Sequence, residues 1–270
     1  MRSGVSGGLI DRFRVDDYAV VVTGSGRGIG RGIAVGLAEA GADVVLNARR
    51  KSDLDETVEL VAATGRRATM VVGDIREPGF CDRLAGEAIG SFGRLDGWVN
   101  NIGGSDEKTT RLLVDTPEAV WRSQLELNLT SAFLGAQAAA RNMADGGTII
   151  NIASGAGMRG SPLTGPYAAA KAGVLNMTQT LALELAPAIR VNAISPGQVP
   201  TEAFRDVLGV GDEALADLAA LTPLGRLGTP EDIAAAALFL ISPAGSWITG
   251  ENLLVAGGRR ERGGNRKSYG

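Results

Sequence analysis

The sequence predicts an α/β fold, one doubly wound domain on a mainly parallel sheet of about seven strands. Two observations predict it. Short apolar, β-branched runs alternate along the chain with longer segments of helical character, the rhythm of repeated βα units. No Pro/Ser-rich linker or long-period repeat interrupts that rhythm, and 270 residues with 44% hydrophobic content suffice for one large core.

Taken in order, residues 1–14 read as an N-terminal extension, 15–258 as the domain, and 259–270 as a mobile tail with no apolar face to bury. Strands are expected at 18–23, 42–47, 68–73, 95–100, 147–152, 189–194 and 252–255. Helices are expected near 28–40, 52–63, 79–92, 117–143, 167–186 and 230–241. Pro117, Pro166 and Pro230 stand where helices begin, since proline fits a first turn whose N–H groups have no partner. Two segments leave the rhythm, the glycine-rich 155–165 and 198–228, and both are expected to be loops over a substrate.

Composition removes several chemistries. The chain has no histidine, which excludes serine-histidine-acid triads and histidine-ligated zinc. Cys81 is the single cysteine, so no intrachain disulfide or thiolate cage forms; a buried structural thiol is expected, and no metal. A net charge of -3 gives no broad attraction to nucleic acid or anionic membrane. The opening residues lack the apolar core of a signal peptide, and charges or glycines interrupt every candidate span, so the expectation is a cytoplasmic protein without a membrane segment.

The stretch TGSGRGIG, Thr23 to Gly30, joins the first strand to the first helix. Four glycines in one turn cost stability in regular structure, so they mark a place where backbone must turn sharply or approach something closely. In an open parallel sheet that place is where a helix N-terminus receives phosphate, which points to a Rossmann-type dinucleotide site. Gly24 makes the turn, while Gly28 and Gly30 admit the pyrophosphate and let the helix pack on the sheet. The spacing is TGxxxGxG, because Ile29 stands where GxGxxG needs its last glycine, and no GK[ST] ending suggests a nucleotide-hydrolysing loop.

Further motifs follow in order: Asp74 after the third strand, Asn100-Asn101-Ile102-Gly103 after the fourth, Asn128, Ser154, Tyr167-Ala168-Ala169-Ala170-Lys171, and Pro196-Gly197-Gln198-Val199-Pro200-Thr201. Over residues 15–258 this set resembles the short-chain dehydrogenase/reductase family. Ile102 departs from the commoner alanine, and Val255-Ala256-Gly257-Gly258 lacks the usual aspartate. The resemblance implies a catalytic tetrad of Asn128, Ser154, Tyr167 and Lys171. It implies cofactor contacts from Gly24, Ser25, Arg27, Gly28, Ile29 and Gly30. Further contacts are implied from Asn47, Arg49, Arg50, Asp74, Ile75, Asn101, Ile102, Gly103, Tyr167, Lys171, Pro196, Gly197, Val199 and Thr201, with Asp74 at the adenine.

Free tyrosine, with a pKa of about 10, is a poor base at neutral pH. Lys171 follows Tyr167 by four residues, hence on one helical face. At roughly 5 Å and an effective dielectric near 20, attraction of about 3 kcal/mol favours the phenolate, an expectation that Lys171 lowers the Tyr167 pKa by roughly two units before desolvation is set against it. Ser154 is expected to bind the substrate oxygen, and the resemblance gives Asn128 a water linking Lys171 to solvent.

The expected activity is hydride transfer between NADP(H) and a small or medium apolar ketone or secondary alcohol. NADP(H) is expected because Asn47-Ala48-Arg49-Arg50 offers arginine where an NAD site places a carboxylate, although NAD(H) stays possible. Arg27 would approach the same 2′-phosphate. Met158, Leu163, Phe204, Val207 and Leu208 are candidate pocket residues. Arg159 and Arg205 are candidates for a carrier-bound thioester, the alternative being a 3-oxoacyl thioester reductase. A noncatalytic dinucleotide-responsive binding protein is the other-class alternative. The alanine-rich helices near 117–143 and 167–186 suggest, by the same resemblance, a homotetramer.

Overall fold

A computed structural model describes residues 8–104, 111–202, 204–205 and 211–258. Its elements are β1 (Ala19–Val22), α1 (Gly28–Glu39), β2 (Asp43–Ala48), α2 (Ser52–Ala63), β3 (Ala68–Val72), α3 (Phe80–Phe92) and β4 (Gly97–Asn100). There follow α4 (Glu118–Leu125), α5 (Ser131–Asn142), β5 (Gly147–Ile152), α6 (Gly165–Leu185), β6 (Ile189–Pro196), α7 (Asp212–Ala220), α8 (Pro230–Ile241) and β7 (Asn252–Val255). Among the described residues these strands form one seven-stranded sheet in the order β3-β2-β1-β4-β5-β6-β7, with every pairing parallel.

Strand alternation distributes the core to both faces of the sheet. Val20, Val22, Val44 and Leu46 join Ile33, Leu37, Ile233 and Leu240 on the side of α1 and α8. Val21, Val45 and Trp98 join Phe80, Leu84, Ala136 and Ala139 on the side of α3 and α5. Cys81 belongs to this second layer at 5% exposure, and burial pushes its thiol up to about 12, which makes it inert packing. Helices α1 and α8 meet closely, because a Cβ on Gly32 would lie 2.6 Å from the Cβ of Pro230.

Two expectations are corrected. The helix near 117–143 is broken by a π-helical turn, Glu126–Thr130, between α4 and α5. The segment 198–228 is not all loop: α7 forms within it, with Asp212 and Glu213 in its first turn, where carboxylates favour the helix dipole, and Leu215 buried. The tail 259–270, and the candidates Val207 and Leu208, lie outside the described residues. Ahead of β1, Phe13 stacks on Phe239 at 6.2 Å, and Arg12 donates to the Pro243 carbonyl at 2.9 Å, so the chain docks on the end of α8 before the sheet begins.

Candidate active site

The strand order reverses between β1 and β4, and the crevice beyond the C-terminal ends of these strands is where open α/β sheets bind ligands. A cavity of about 1630 Å³ opens there. A pocket for one drug-sized ligand measures roughly 300–1,000 Å³, so this cavity is larger than a single such ligand needs.

The glycine loop forms one end. Gly24 and Gly28 hold φ values of +64° and +55°, left-handed backbone that favours glycine. A Cβ on Gly30 would overlap the Gly24 carbonyl. Asn101 braces the turn by donating through Nδ2 to the carbonyls of Thr23 (2.9 Å) and Gly24 (3.1 Å). Asn47 ties it to the sheet: its N–H donates to Ser25 Oγ at 2.9 Å, and its Nδ2 donates to the carbonyls of Val71 (3.1 Å) and Gly73 (3.2 Å). The result is a side-chain-free cradle at the start of the twelve-residue α1, which fits the pyrophosphate of a dinucleotide.

Charge surrounds this end. Arg49, at the end of β2, is exposed and makes no ion pair or side-chain hydrogen bond among the described residues, whereas Arg50 is held by Asp53 at 2.8 Å. Arg27 pairs with Glu202 at 2.9 Å, joining the glycine loop to the segment after Thr201. Asp74 accepts from Arg76 at 2.8 Å, and that bond holds its carboxyl below the usual range. Asp53 and Arg76 both line the cavity, and sequence reasoning did not single them out.

At the other end β5 delivers Ser154, α6 delivers Tyr167 and Lys171, and all three line the cavity. Asn128 stands behind the wall, fully buried in the π turn. Its Oδ1 accepts from the Gly104 N–H at 2.8 Å, and its Nδ2 donates to the Gly104 carbonyl at 2.8 Å and the Gln124 carbonyl at 3.0 Å. Gly103 fits closely between these groups: a Cβ there would lie 2.8 Å from Lys171 Nζ and 2.9 Å from Asn128 Oδ1. Lys171, 3% exposed, donates through Nζ to the Ile152 carbonyl at 2.8 Å.

The expectation that Lys171 lowers the Tyr167 pKa is corrected. Burial is the largest influence on the phenol and raises it, and the hydrogen bond between Tyr167 and Ser154 pulls it back in part. Lys171 Nζ lies 5.8 Å from the ring centroid and is itself desolvated, so its own pKa falls to about 8.

Of the expected site residues, Ser25 and Asn128 do not reach the cavity surface. Gly24, Arg27, Gly28, Ile29, Gly30, Asn47, Arg49, Arg50, Asp74, Ile75, Asn101, Ile102 and Gly103 line it, as do Pro196, Gly197, Val199 and Thr201. Ser25 is sealed in because its N–H donates to the Asn47 carbonyl at 2.9 Å. Met158, Leu163, Phe204 and Arg159 also line the cavity, but Arg205 does not; it pairs with Asp212 of α7 at 2.8 Å. At the end of β7 the missing aspartate leaves the packing intact, with the Gly197 N–H donating to the Val255 carbonyl at 2.8 Å and Ala256 seated against Gly197.

Comparison with known proteins bears on this geometry. A family model described as enoyl-(acyl carrier protein) reductase matches residues 24–260. An uncharacterized oxidoreductase of Mycobacterium tuberculosis is 43% identical over 253 residues, covering 93% of this chain and 95% of that one. The 7alpha-hydroxysteroid dehydrogenase of Escherichia coli is 37% identical over 251 residues, covering 92% and 96%. A solved 7α-hydroxysteroid dehydrogenase, complexed with NADH and 7-oxo glycochenodeoxycholic acid, superposes with a TM-score of 0.85 at 36% identity, covering 92% of this chain and 96% of that one. The parallel sheet agrees with these matches, and they show that the chain belongs to the short-chain dehydrogenase/reductase family of oxidoreductases.

Proposed function

We propose that the protein interconverts an apolar ketone and its secondary alcohol with NADP(H), using Tyr167 as acid and base. The observation that carries this reading is one cavity with a glycine cradle at one end and hydrogen-bonded Ser154 and Tyr167 beside Lys171 at the other. A bound nicotinamide supplies the hydride in reduction and accepts it in oxidation. During reduction Ser154 Oγ donates a hydrogen bond to the substrate oxygen. Tyr167 Oη gives that oxygen its proton as the carbon receives hydride, leaving a phenolate that the Lys171 ammonium stabilises. In oxidation the phenolate takes the hydroxyl proton back. Burial keeps Tyr167 protonated at neutral pH, which suits it to act as the acid.

Preference for NADP(H) is supported by Arg49, exposed on the cavity lining just after β2, and by the absence of a carboxylate at residues 47–50. A bidentate arginine-phosphate contact is the chemistry such a site offers. The 3-oxoacyl thioester alternative is favoured by Arg159 on the cavity wall, although Arg205 is turned away to α7.

Tyr167→Phe tests the mechanism, because it removes the proton and keeps the ring. The expected result is a loss of roughly 10²–10⁴-fold in single-turnover hydride transfer, with the dissociation constant for NADPH little changed by fluorescence titration. Near-normal transfer would overturn the acid/base assignment.

A further inference from the structure

Arg27 carries its charge at an end of α1 that is already positive. It is the N-cap of that helix, its side chain makes no cap hydrogen bond, and the first turn holds no acidic residue, so guanidinium and helix dipole add at the lip of the glycine cradle. The anion they meet is Glu202, because Arg27 Nη1 donates to Glu202 Oε2 at 2.9 Å across 175 positions of sequence. Other arginines on the same lining are paired locally. Arg50 meets Asp53 three residues on, and Arg76 meets Asp74 two residues back, each a carboxylate of its own segment. Arg27 meets one from the segment after β6.

The backbone that brings Glu202 there is held, while its side chain is loosely placed. A Cβ on Gly28 would lie 2.9 Å from Thr201 Cγ2, so Thr201 sits directly against the glycine loop. Thr201 Oγ1 accepts from the Phe204 N–H at 3.2 Å, and the Thr201 carbonyl accepts from the Arg205 N–H at 3.0 Å. One short turn therefore carries Glu202 to Arg27 and Phe204 to the cavity lining. The ion pair itself stays in water, with 52% of the Arg27 side chain and 75% of the Glu202 side chain exposed, and an exposed pair is readily exchanged for another anion.

We infer that Glu202 is a specificity-determining residue for the cofactor: its carboxylate occupies the Arg27 guanidinium in the free protein, a dinucleotide 2′-phosphate displaces it, and the competition narrows the margin by which NADP(H) binds over NAD(H). This deepens the NADP(H) reading and rests on its placing Arg27 at that phosphate. A phosphate monoester carries roughly −1.5 to −2 charge at neutral pH against the single charge of the carboxylate, so it wins the guanidinium at a reduced gain. NAD(H) has a hydroxyl in that place and leaves the pair closed, so the phosphorylated cofactor alone meets the competition.

The test is a double-mutant cycle on binding, without turnover. Dissociation constants for NADPH and NADH are measured by fluorescence titration, and those for 2′,5′-ADP and 5′-AMP by calorimetry, in the parent, Glu202→Gln, Arg27→Ala and the double variant. In Glu202→Gln the affinity ratio of NADPH to NADH, and that of 2′,5′-ADP to 5′-AMP, should each rise about three- to fivefold, the scale of one exposed ion pair. In the Arg27→Ala background the same substitution should leave both ratios within about twofold, because its route of action is gone. A merely structural Glu202 moves both members of each ratio alike, so ratios that keep the parent value overturn the inference. A fall in the ratios overturns it too, since Glu202 would then be orienting Arg27 towards the phosphate, and so does a rise that persists without Arg27. A rise that depends on Arg27, in a parent that binds NADH the more tightly, would support the role of Glu202 and defeat the NADP(H) preference. Unchanged ratios in Arg27→Ala alone would remove Arg27 from the phosphate, and the inference with it.

Discussion

Lys171 and Tyr167 share a helical face, yet each is governed more by burial than by the other. Desolvation brings the Lys171 ammonium to about 8, so it is charged below that pH and neutral above it. The charge stabilises the phenolate left by proton donation, and its loss weakens the acid. Because kcat/KM reports the free enzyme's groups, ketone reduction should be level at neutral pH and decline as pH rises through about 8. A flat or rising profile there, in initial rates with NADPH, would sink this account. Arg49 and Arg27 carry the cofactor prediction. Arg49 is exposed and near enough to Asp74 to help hold that carboxyl low, while Arg27 must release Glu202 to meet a 2′-phosphate. An Arg27→Ala/Arg49→Ala variant should raise KM for NADPH about tenfold or more and change that for NADH little, since each charge-assisted bond contributes roughly 1.5–3 kcal/mol. A parent enzyme with the higher kcat/KM for NADH would reject the assignment.

Helix α8 begins with a capping box in which Thr229 Oγ1 accepts from the Asp232 N–H and Asp232 accepts from the Thr229 N–H at 2.8 Å. Arg226 donates to the same carboxylate at 2.6 and 2.8 Å, and this pair is the largest cause that lowers Asp232 to about 2. A depressed folded pKa stabilises the protein above the ordinary value of 3.8, and that stabilisation is lost as pH falls from there towards about 2. Asp232→Asn should therefore cost about 1 kcal/mol at neutral pH and flatten the acid limb of a denaturation curve; an unchanged acid limb would show the cap to be energetically idle. This helix was legible in sequence because Thr229, Pro230 and Asp232 signal a start locally. The βα rhythm was legible for a related reason, since residues such as Val20, Val21 and Val22 alternate between two buried layers and leave a continuous apolar run. The π turn at Glu126–Thr130 was not, because one added residue in a helix is visible only once Asn128 meets the Gly103–Gly104 loop. Nor was α7, which buries only Leu215 among nine residues and so carries a faint apolar stripe. The pairing of Arg205 with Asp212, the place of Asp53 beside Gly26, and the approach of Arg111 to Leu163 are tertiary facts with no periodic signal.

At the scale of the whole molecule, the seven-stranded sheet ends on β7, whose outer edge has no strand partner among the described residues, a feature that proteins ordinarily cover or blunt. Trp247 is 98% exposed ahead of that strand, and Leu253 and Leu254 on it are each 37% exposed. A second apolar surface lies on the helices of the opposite layer, where Leu183 of α6 is 84% exposed and Phe133 of α5 is 44% exposed. Each of these helices already buries its other face, Ala136 and Ala139 of α5 and Ala182 of α6 being in the core. Two separate self-complementary surfaces on one chain generate a closed dimer of dimers, whereas one such surface stops at a dimer. We therefore propose a homotetramer, joined by the helical face in one direction and the β7 edge in the other. Sedimentation equilibrium should give four times the mass of the 27.8 kDa chain. Leu183→Glu and Trp247→Glu should each reduce the assembly to a dimer, because a buried unpaired carboxylate defeats its interface, and together they should yield a monomer. A parent protein that sediments as an active monomer would reject the assembly while leaving the fold and the site as they stand.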